Sequence, residues 1–323
     1  MQEINLSDIE NIRIGHAQDM EGGTGCTVII NEQGAPTGLD VRGGGPASRE
    51  SELLNPVAAA QGIHAVLLSG GSAFGLDAAG GVMEYLSERN IGFDTGVAKV
   101  PLVCQSCIFD LVVGKPDAYP DKVMAYQACV DSENKKSIQN GNIGAGTGAT
   151  VGKYRGIQTM MKSGIGTYAV ELGGLKVGAI VSVNALGDIF DIESGSKLAG
   201  MLTADLSEFE DTEAAMYEDI SRKENLFTGN TTIGAVITNG KFNKVEAKKI
   251  AAMTHNGYAQ VIRPVHTTAD GDSIYVMSVG EVAADINVVG TLAARVMAMA
   301  IKKAVLAAEP LYGLKTASML LHK

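Results

Sequence analysis

The sequence predicts an α+β protein built of stacked β-sheets covered by helices, and three observations carry that reading. Strand-like and helix-like runs come in groups rather than in the strict βαβ order of a doubly wound sheet. Glycine is abundant, 40 residues in 323, so the chain makes many tight turns or close backbone approaches. Hydrophobic residues make up 46% and charged residues 19%, the balance of a globular chain long enough to bury a sizeable core.

Along the chain, residues 24–42 alternate short β-like runs (CTVII, GLDV) with turn residues. GGGP then leads into an expected helix, ASRESELLNPVAAAQ, which Pro56 should interrupt. AVLLS at 65–69 reads as a buried strand, and residues 76–89 as a helix with Leu76, Ala79, Val82, Met83 and Leu86 on one face. Residues 118–132 read as helical. A Gly-rich block, NGNIGAGTGATVGKYRG, precedes two or three strands between 165 and 192, with a hairpin turn at Gly173-Gly174. The acidic stretch 204–229 has no core stripe and reads as a surface or mobile segment. The pattern then switches to a strand at 231–239, a helix at about 243–259, the turn-rich HTTADGD, a strand SIYVMSVG and a long C-terminal helix.

A net charge of −10 argues against nucleic acid and anionic membrane as main partners. No basic stretch followed by an apolar run opens the chain, and no run of about 18 uncharged apolar residues follows, so neither export nor a membrane span is expected and the cytoplasm is the expected location. In that compartment Cys26, Cys104, Cys107 and Cys129 are expected to be free, with the Cys104-x-x-Cys107 pair structural. The five histidines are scattered and no ligand set has zinc-like spacing, so no metal and no cofactor is expected.

Four features could carry chemistry. GAGTGATVGK resembles a phosphate loop, but Tyr154 stands where the magnesium-binding Ser or Thr belongs, so the loop reads as backbone packing or as the lining of an acyl site with Lys153 as a fixed cation. In GNTT, Thr231 is a plain strand residue unless the Asn230–Thr231 bond is cut. Cutting would give Thr231 an α-amine with a pKa of about 7.7–8, able to take the proton from its own hydroxyl. Asp270-Gly271-Asp272 is either a turn or a pair of carboxylates that orient the nucleophile. Asn184, inside AIVSVNAL, must satisfy a buried amide, either with backbone or with a developing oxyanion.

Seven strings in order, NIRIGHAQD, TGLDVRGGGPASRE, LLSGGSAFGLDAAGGV, GNIGAGTGATVGK, VSVNALG, GNTTIGAVITN and HTTADGDSIY, resemble the P1 family of peptidases, also called the L-aminopeptidase/D-esterase family, with its β-peptidyl aminopeptidases and nylon-oligomer hydrolases. The resemblance spans nearly the whole chain. It implies a four-layer αββα sandwich in one domain, 1–323, and self-cleavage at Asn230–Thr231 into a large chain, 1–230, and a small chain, 231–323. It also implies Thr231 as nucleophile of an amide, peptide or ester hydrolase, with Asp270 and Asp272 as the paired carboxylates, Lys153 as the lysine and Asn184 as the oxyanion-side amide. By the same likeness the enzyme is a homo-oligomer of four copies, helped by an apolar helix, VVGTLAARVMAMAIKKAVLAA, with more apolar surface than one face should bury. The sequence departs from the peptidase branches in two places. It has Asp-Gly-Asp where they have Ser-x-Glu, and VPLVCQSCIFDL lacks their tyrosine, with Cys107 near its place. Both departures bear on substrate class. An acyltransferase resembling ornithine acetyltransferase and a non-catalytic binding relative are the competing readings.

Overall fold

The computed structural model describes residues 1–134, 138–220 and 229–321. Two sheets dominate. One has six strands, in the order Gln2–Ile4, Ile165–Leu172, Leu175–Asn184, Thr231–Gly240, Ser273–Val282 and Thr37–Val41. The other has five, in the order Arg13–Asp19, Thr24–Ala35, Ile63–Ser69, Val103–Cys107 and Ala47–Arg49.

The burial pattern stacks these sheets in the expected four layers. Ile29, Val66 and Leu68 of the five-stranded sheet share one apolar cluster with Ile180, Ile233 and Tyr275 of the six-stranded sheet, so this core lies between the sheets. Their strand neighbours point the other way, as the two-residue period of a strand requires. Val28 and Leu67 pack with Val82 and Leu86 of the helix Ala79–Glu88 and Cys129 of the helix Lys122–Asp131. Val181, Val236 and Ile274 pack with Ala251 of the helix Lys244–Val261 and Val296 of the helix Ile286–Leu306.

Local chemistry explains the main elements. Gly173 and Gly174 both have positive φ, 58° and 85°, and form the two-residue turn of a hairpin whose twist matches its strands. Asn243 caps the helix Lys244–Val261 in a reciprocal box with Glu246. Asp285 accepts from the N–H groups of Asn287 and Val288 to start the C-terminal helix. The Thr231 strand runs antiparallel to the Asn184 strand and parallel to the Ser273 strand, the latter pair joined through the helix Lys244–Val261.

Three expectations change. The helix expected after GGGP is instead a short edge strand, Ala47–Arg49, and one 3₁₀ turn, Ser51–Leu54. Glu50 sits at φ 57° between them, Pro56 follows, and only Leu54 of the turn is buried, so a helix here would have no apolar face to dock. In the acidic segment, Asp211 caps a helix, Thr212–Glu218, and buried Asp188 accepts from both the N–H and the hydroxyl of Thr212; residues 221–228 of that segment lie outside the described residues. The C-terminal helix buries Val289, Leu292, Val296, Met297, Ile301 and Val305 within its own chain, between the neighbouring helix and the sheet. Its wide apolar face is used internally and does not by itself call for a second copy.

Candidate active site

Thr231 opens a strand, and the even-odd pattern decides which way it faces. Ile233 and Ala235 point between the sheets, so Thr231 does too, while Thr232 points with Val236 toward the helix layer. Thr231 is 4% exposed and Asn230 1%. The bond between them is held from several sides. The Asn230 carbonyl accepts from the N–H of Gly271 at 2.8 Å and also from the hydroxyl of Thr231 itself. The Asn230 N–H donates to the carbonyl of Ala269 at 3.1 Å. Gly271 permits this approach, since a Cβ there would stand 2.8 Å from the Thr231 hydroxyl oxygen. Just upstream, a Cβ on Gly229 would run into the ring of Phe109.

Asn184 is the register partner of Thr231 on the neighbouring strand. Its Oδ1 accepts from Lys153 Nζ at 2.7 Å and from Thr150 N–H at 3.1 Å, and its Nδ2 donates to the Phe109 carbonyl at 3.0 Å. Lys153 Nζ also reaches the carbonyls of Thr150 and Asn184, at 3.1 and 3.2 Å. Lys153 and Asn184 thus form one hydrogen-bonded group, anchored on the strand paired with that of Thr231, in which the asparagine amide is engaged with the lysine and with backbone.

The two aspartates diverge. Asp270 Oδ2 accepts from the N–H and hydroxyl of Thr267, at 2.8 and 2.6 Å. Asp272 Oδ1 accepts from the N–H of Thr232 at 2.8 Å, and its Oδ2 meets Nδ1 of His266 at 2.8 Å. Asp272 meets the Thr231 strand through the Thr232 N–H, whereas Asp270 pairs with Asn230 only through its backbone; Gly271, whose N–H holds the Asn230 carbonyl, lies between them.

Burial sets the electrostatics. It pushes the Lys153 ammonium down to about 7, opposed by the carboxylates of Asp270 and Asp110. Burial, and then the nearby charge of Asp272, push Asp270 up to about 6, against the Thr267 hydrogen bonds and Lys153. Burial also raises Asp110 to about 6, although it accepts from Gly71 N–H and the Thr24 hydroxyl, both at 2.7 Å. A depressed ammonium among raised carboxylates inside a water-poor site is an arrangement found where protons move.

Asp110 and His266 escape the sequence reading, though both sit in strings it quotes. Asp110 ends the CIFD run and shows only as one acid after an apolar stretch; His266 opens HTTADGD and is weighed only as a metal ligand. Among the described residues no three His, Cys, Asp or Glu side chains come together as a metal-binding group, and no helix is long and apolar enough to cross a membrane. All four cysteines are buried free thiols.

The family model described as peptidase family S58 matches residues 5–319. The chain is 33% identical over 342 residues to an uncharacterised aminopeptidase of Mycobacterium leprae, covering 97% of this chain and 92% of that one. It is 30% identical over 281 residues to the 6-aminohexanoate-oligomer endohydrolase of a Kocuria species, covering 85% and 75%. Among solved structures it resembles the L-aminopeptidase D-Ala-esterase/amidase of Ochrobactrum anthropi, a variant of the Ntn-hydrolase fold, with a TM-score of 0.71, 16% identity and coverage of 97% and 90%. A β-aminopeptidase of a Burkholderia species matches with a TM-score of 0.68, 16% identity and coverage of 98% and 92%.

Proposed function

The chain belongs to peptidase family S58, which makes it a hydrolase of the aminopeptidase type, and from that premise we propose that it cleaves itself between Asn230 and Thr231 and then uses Thr231 as its nucleophile. The observation that carries this reading is the cradle at the bond. One carbonyl oxygen, that of Asn230, receives both the Gly271 N–H and the hydroxyl of the residue on the far side of the same peptide bond.

In the first reaction the Thr231 oxygen attacks the Asn230 carbonyl carbon. Negative charge gathers on the carbonyl oxygen, where the Gly271 N–H already points. The C–N bond breaks, the hydroxyl proton ends on the departing nitrogen, and an ester joins Asn230 to Thr231. Water then hydrolyses the ester, leaving a carboxylate on Asn230 and a free amine and hydroxyl on Thr231. The products are a large chain, 1–230, and a small chain, 231–323, which stay together as one folded domain.

In the mature enzyme the new α-amine, with an ordinary pKa of about 7.7–8, takes the proton of its own hydroxyl as the oxygen attacks a substrate acyl group. The acyl-enzyme forms, the amine leaves, and water restores Thr231. Lys153 and Asn184 supply the positive end of the site, Asp272 fixes the backbone beyond Thr231 through the Thr232 N–H, and Asp270 supplies a counter-charge to Lys153. Substrates are small amides, peptides or esters. The relative named for 6-aminohexanoate oligomers supports an unbranched aminoacyl amide as the first class to try. The same reading takes the enzyme to work in the cytoplasm as four copies, which cell fractionation and sedimentation check; a secreted protein or a stable monomer at micromolar concentration would remove those two points.

The reaction is tested by mass spectrometry of the mature enzyme during turnover of an aminoacyl ester. An acyl adduct on the fragment that begins at Thr231 is expected. An adduct on another residue, or undiminished hydrolysis by Thr231→Ala, would sink the assignment.

A further inference from the structure

His266 lies outside the residues assigned above, yet both of its hydrogen bonds lead to one of them. Its backbone N–H and its ring Nδ1 both meet Oδ2 of Asp272, at 3.2 and 2.8 Å. The other oxygen of Asp272 takes the N–H of Thr232, one peptide bond beyond Thr231. His266 adopts φ 60°, a left-handed conformation uncommon for a residue with a side chain, and the double contact with Asp272 accounts for it.

The ring is fixed from the helix side. It stands edge-on to His255, with centroids 4.7 Å apart, and lies nearly parallel to Tyr258 at 6.1 Å. Both belong to the helix Lys244–Val261 and both are 0% exposed. His255 in turn meets the carbonyl of Asp40 at 3.1 Å, and Asp40 pairs with Arg42. The groups facing His266 are therefore Asp272 on its own loop, His255 and Tyr258 on the helix, and Asp40 and Arg42 behind His255. A carboxylate with an imidazole on one oxygen and a strand N–H on the other has its orientation set by the imidazole, because rotating it would break both contacts.

We propose that His266 is a positioning residue for the nucleophile: by holding Oδ2 of Asp272 through Nδ1 it aims Oδ1 at the Thr232 N–H, and so fixes the start of the strand that presents Thr231 to the Asn230 carbonyl. The proposal rests on the reading of Thr231 as nucleophile. His266 touches neither Thr231 nor the scissile bond. Its effect passes through Asp272.

Three variants of the full chain separate this from a purely structural role. His266→Gly accepts the left-handed backbone and removes the ring. His266→Asn also tolerates that backbone and carries an amide N–H where Nδ1 stood. His266→Gln carries its amide N–H near the place of Nε2. His266→Gly should slow self-cleavage by about 10–100-fold, the loss expected when a reacting group is misplaced by a fraction of an ångström, and lower kcat on an aminoacyl p-nitroanilide with little change in KM. His266→Asn should return to within a few-fold of the parent and His266→Gln should not. In an Asp272→Asn background, His266→Gly should add no more than about twofold. Parental rates in His266→Gly, equal rates in His266→Asn and His266→Gln, or losses that multiply in the double variant would each overturn the proposal. If His266→Gly does not fold, the Asn and Gln pair decides alone. Thr231→Ala is run beside them. If that chain still splits at the same bond, the nucleophile reading fails; if it stays whole while His266→Gly splits at the parental rate, only the role of His266 falls.

Discussion

Lys153 lies in the Gly-rich block and Lys162 on the short strand Met161–Lys162 just after it, both wholly buried, and burial pushes both ammonium groups down to about 7. Their partners differ. Lys162 Nζ donates to three backbone carbonyls, those of Gly146, Ala149 and Ser163, and ties the middle of the block to the chain that follows it. Lys153 Nζ donates to two backbone carbonyls as well, but also to the side chain of Asn184, the register partner of Thr231, and it feels the Asp270 carboxylate in addition to that of Asp110, whose charge reaches both lysines. Depth and a depressed pKa are common to both, so neither marks a functional lysine. The partner set separates them: backbone acceptors alone make a clasp, whereas the Asn184 side chain and the Asp270 carboxylate tie Lys153 to the proposed nucleophile.

Exchanging each lysine for methionine should pull the two roles apart. Lys153→Met is expected to slow self-cleavage by the folded fraction by roughly 100–1000-fold, the scale of a lost charge-stabilising donor, on top of a stability loss like that of Lys162→Met, because it too leaves buried acceptors without their donor. Lys162→Met leaves three buried carbonyls without their donor and should cost about 2–4 kcal/mol of stability, with cleavage by the folded fraction within a few-fold of the parent. Unfolding curves and cleavage time courses of both variants decide this. If both lysines affect rate alike, the comparison collapses.

A smaller effect concerns pH. Lys153, lowered to about 7, loses its charge as pH rises through that value, and with it the positive end of the site. Asp270, raised to about 6, gains its charge as pH rises through 6, and that charge supports the lysine. Self-cleavage should therefore peak between these values and fall on both sides, with limits that belong to the coupled groups together. Asp270→Asn should erase the acid limb and shift the alkaline limb to lower pH, since Lys153 loses a counter-charge. A flat profile from pH 5 to about 8 would remove both groups from the rate-limiting step.

Much of this was legible in the sequence, and the illegible parts share a cause. The strands at 65–69, 165–184 and 231–239 announce themselves by period and by their bounding turns, and the Thr231 boundary is visible as an abrupt switch from acidic to apolar sequence. The segment after GGGP misleads because its helix-like composition says nothing of whether a core is there to receive it, and in the fold it borders the edge of a sheet. The directions of Asp270 and Asp272 are equally hidden. Their spacing suggests two carboxylates acting together, but strand alternation and the His266 contact turn Asp272 toward Thr232, while Thr267 holds Asp270. Asp110 and His266 matter only through partners far away in the chain or through a rare backbone conformation, and neither can be read from one string of residues.

The nucleophile itself is tested most directly by following freshly made chains of the parent and of Thr231→Ala on a denaturing gel, with N-terminal sequencing of every fragment. The parent should yield a small chain beginning TTIGAVITN, and Thr231→Ala should remain a single full-length band however long it is kept. A Thr231→Ala chain that splits at the same bond, or a parent that stays whole, would contradict the assignment.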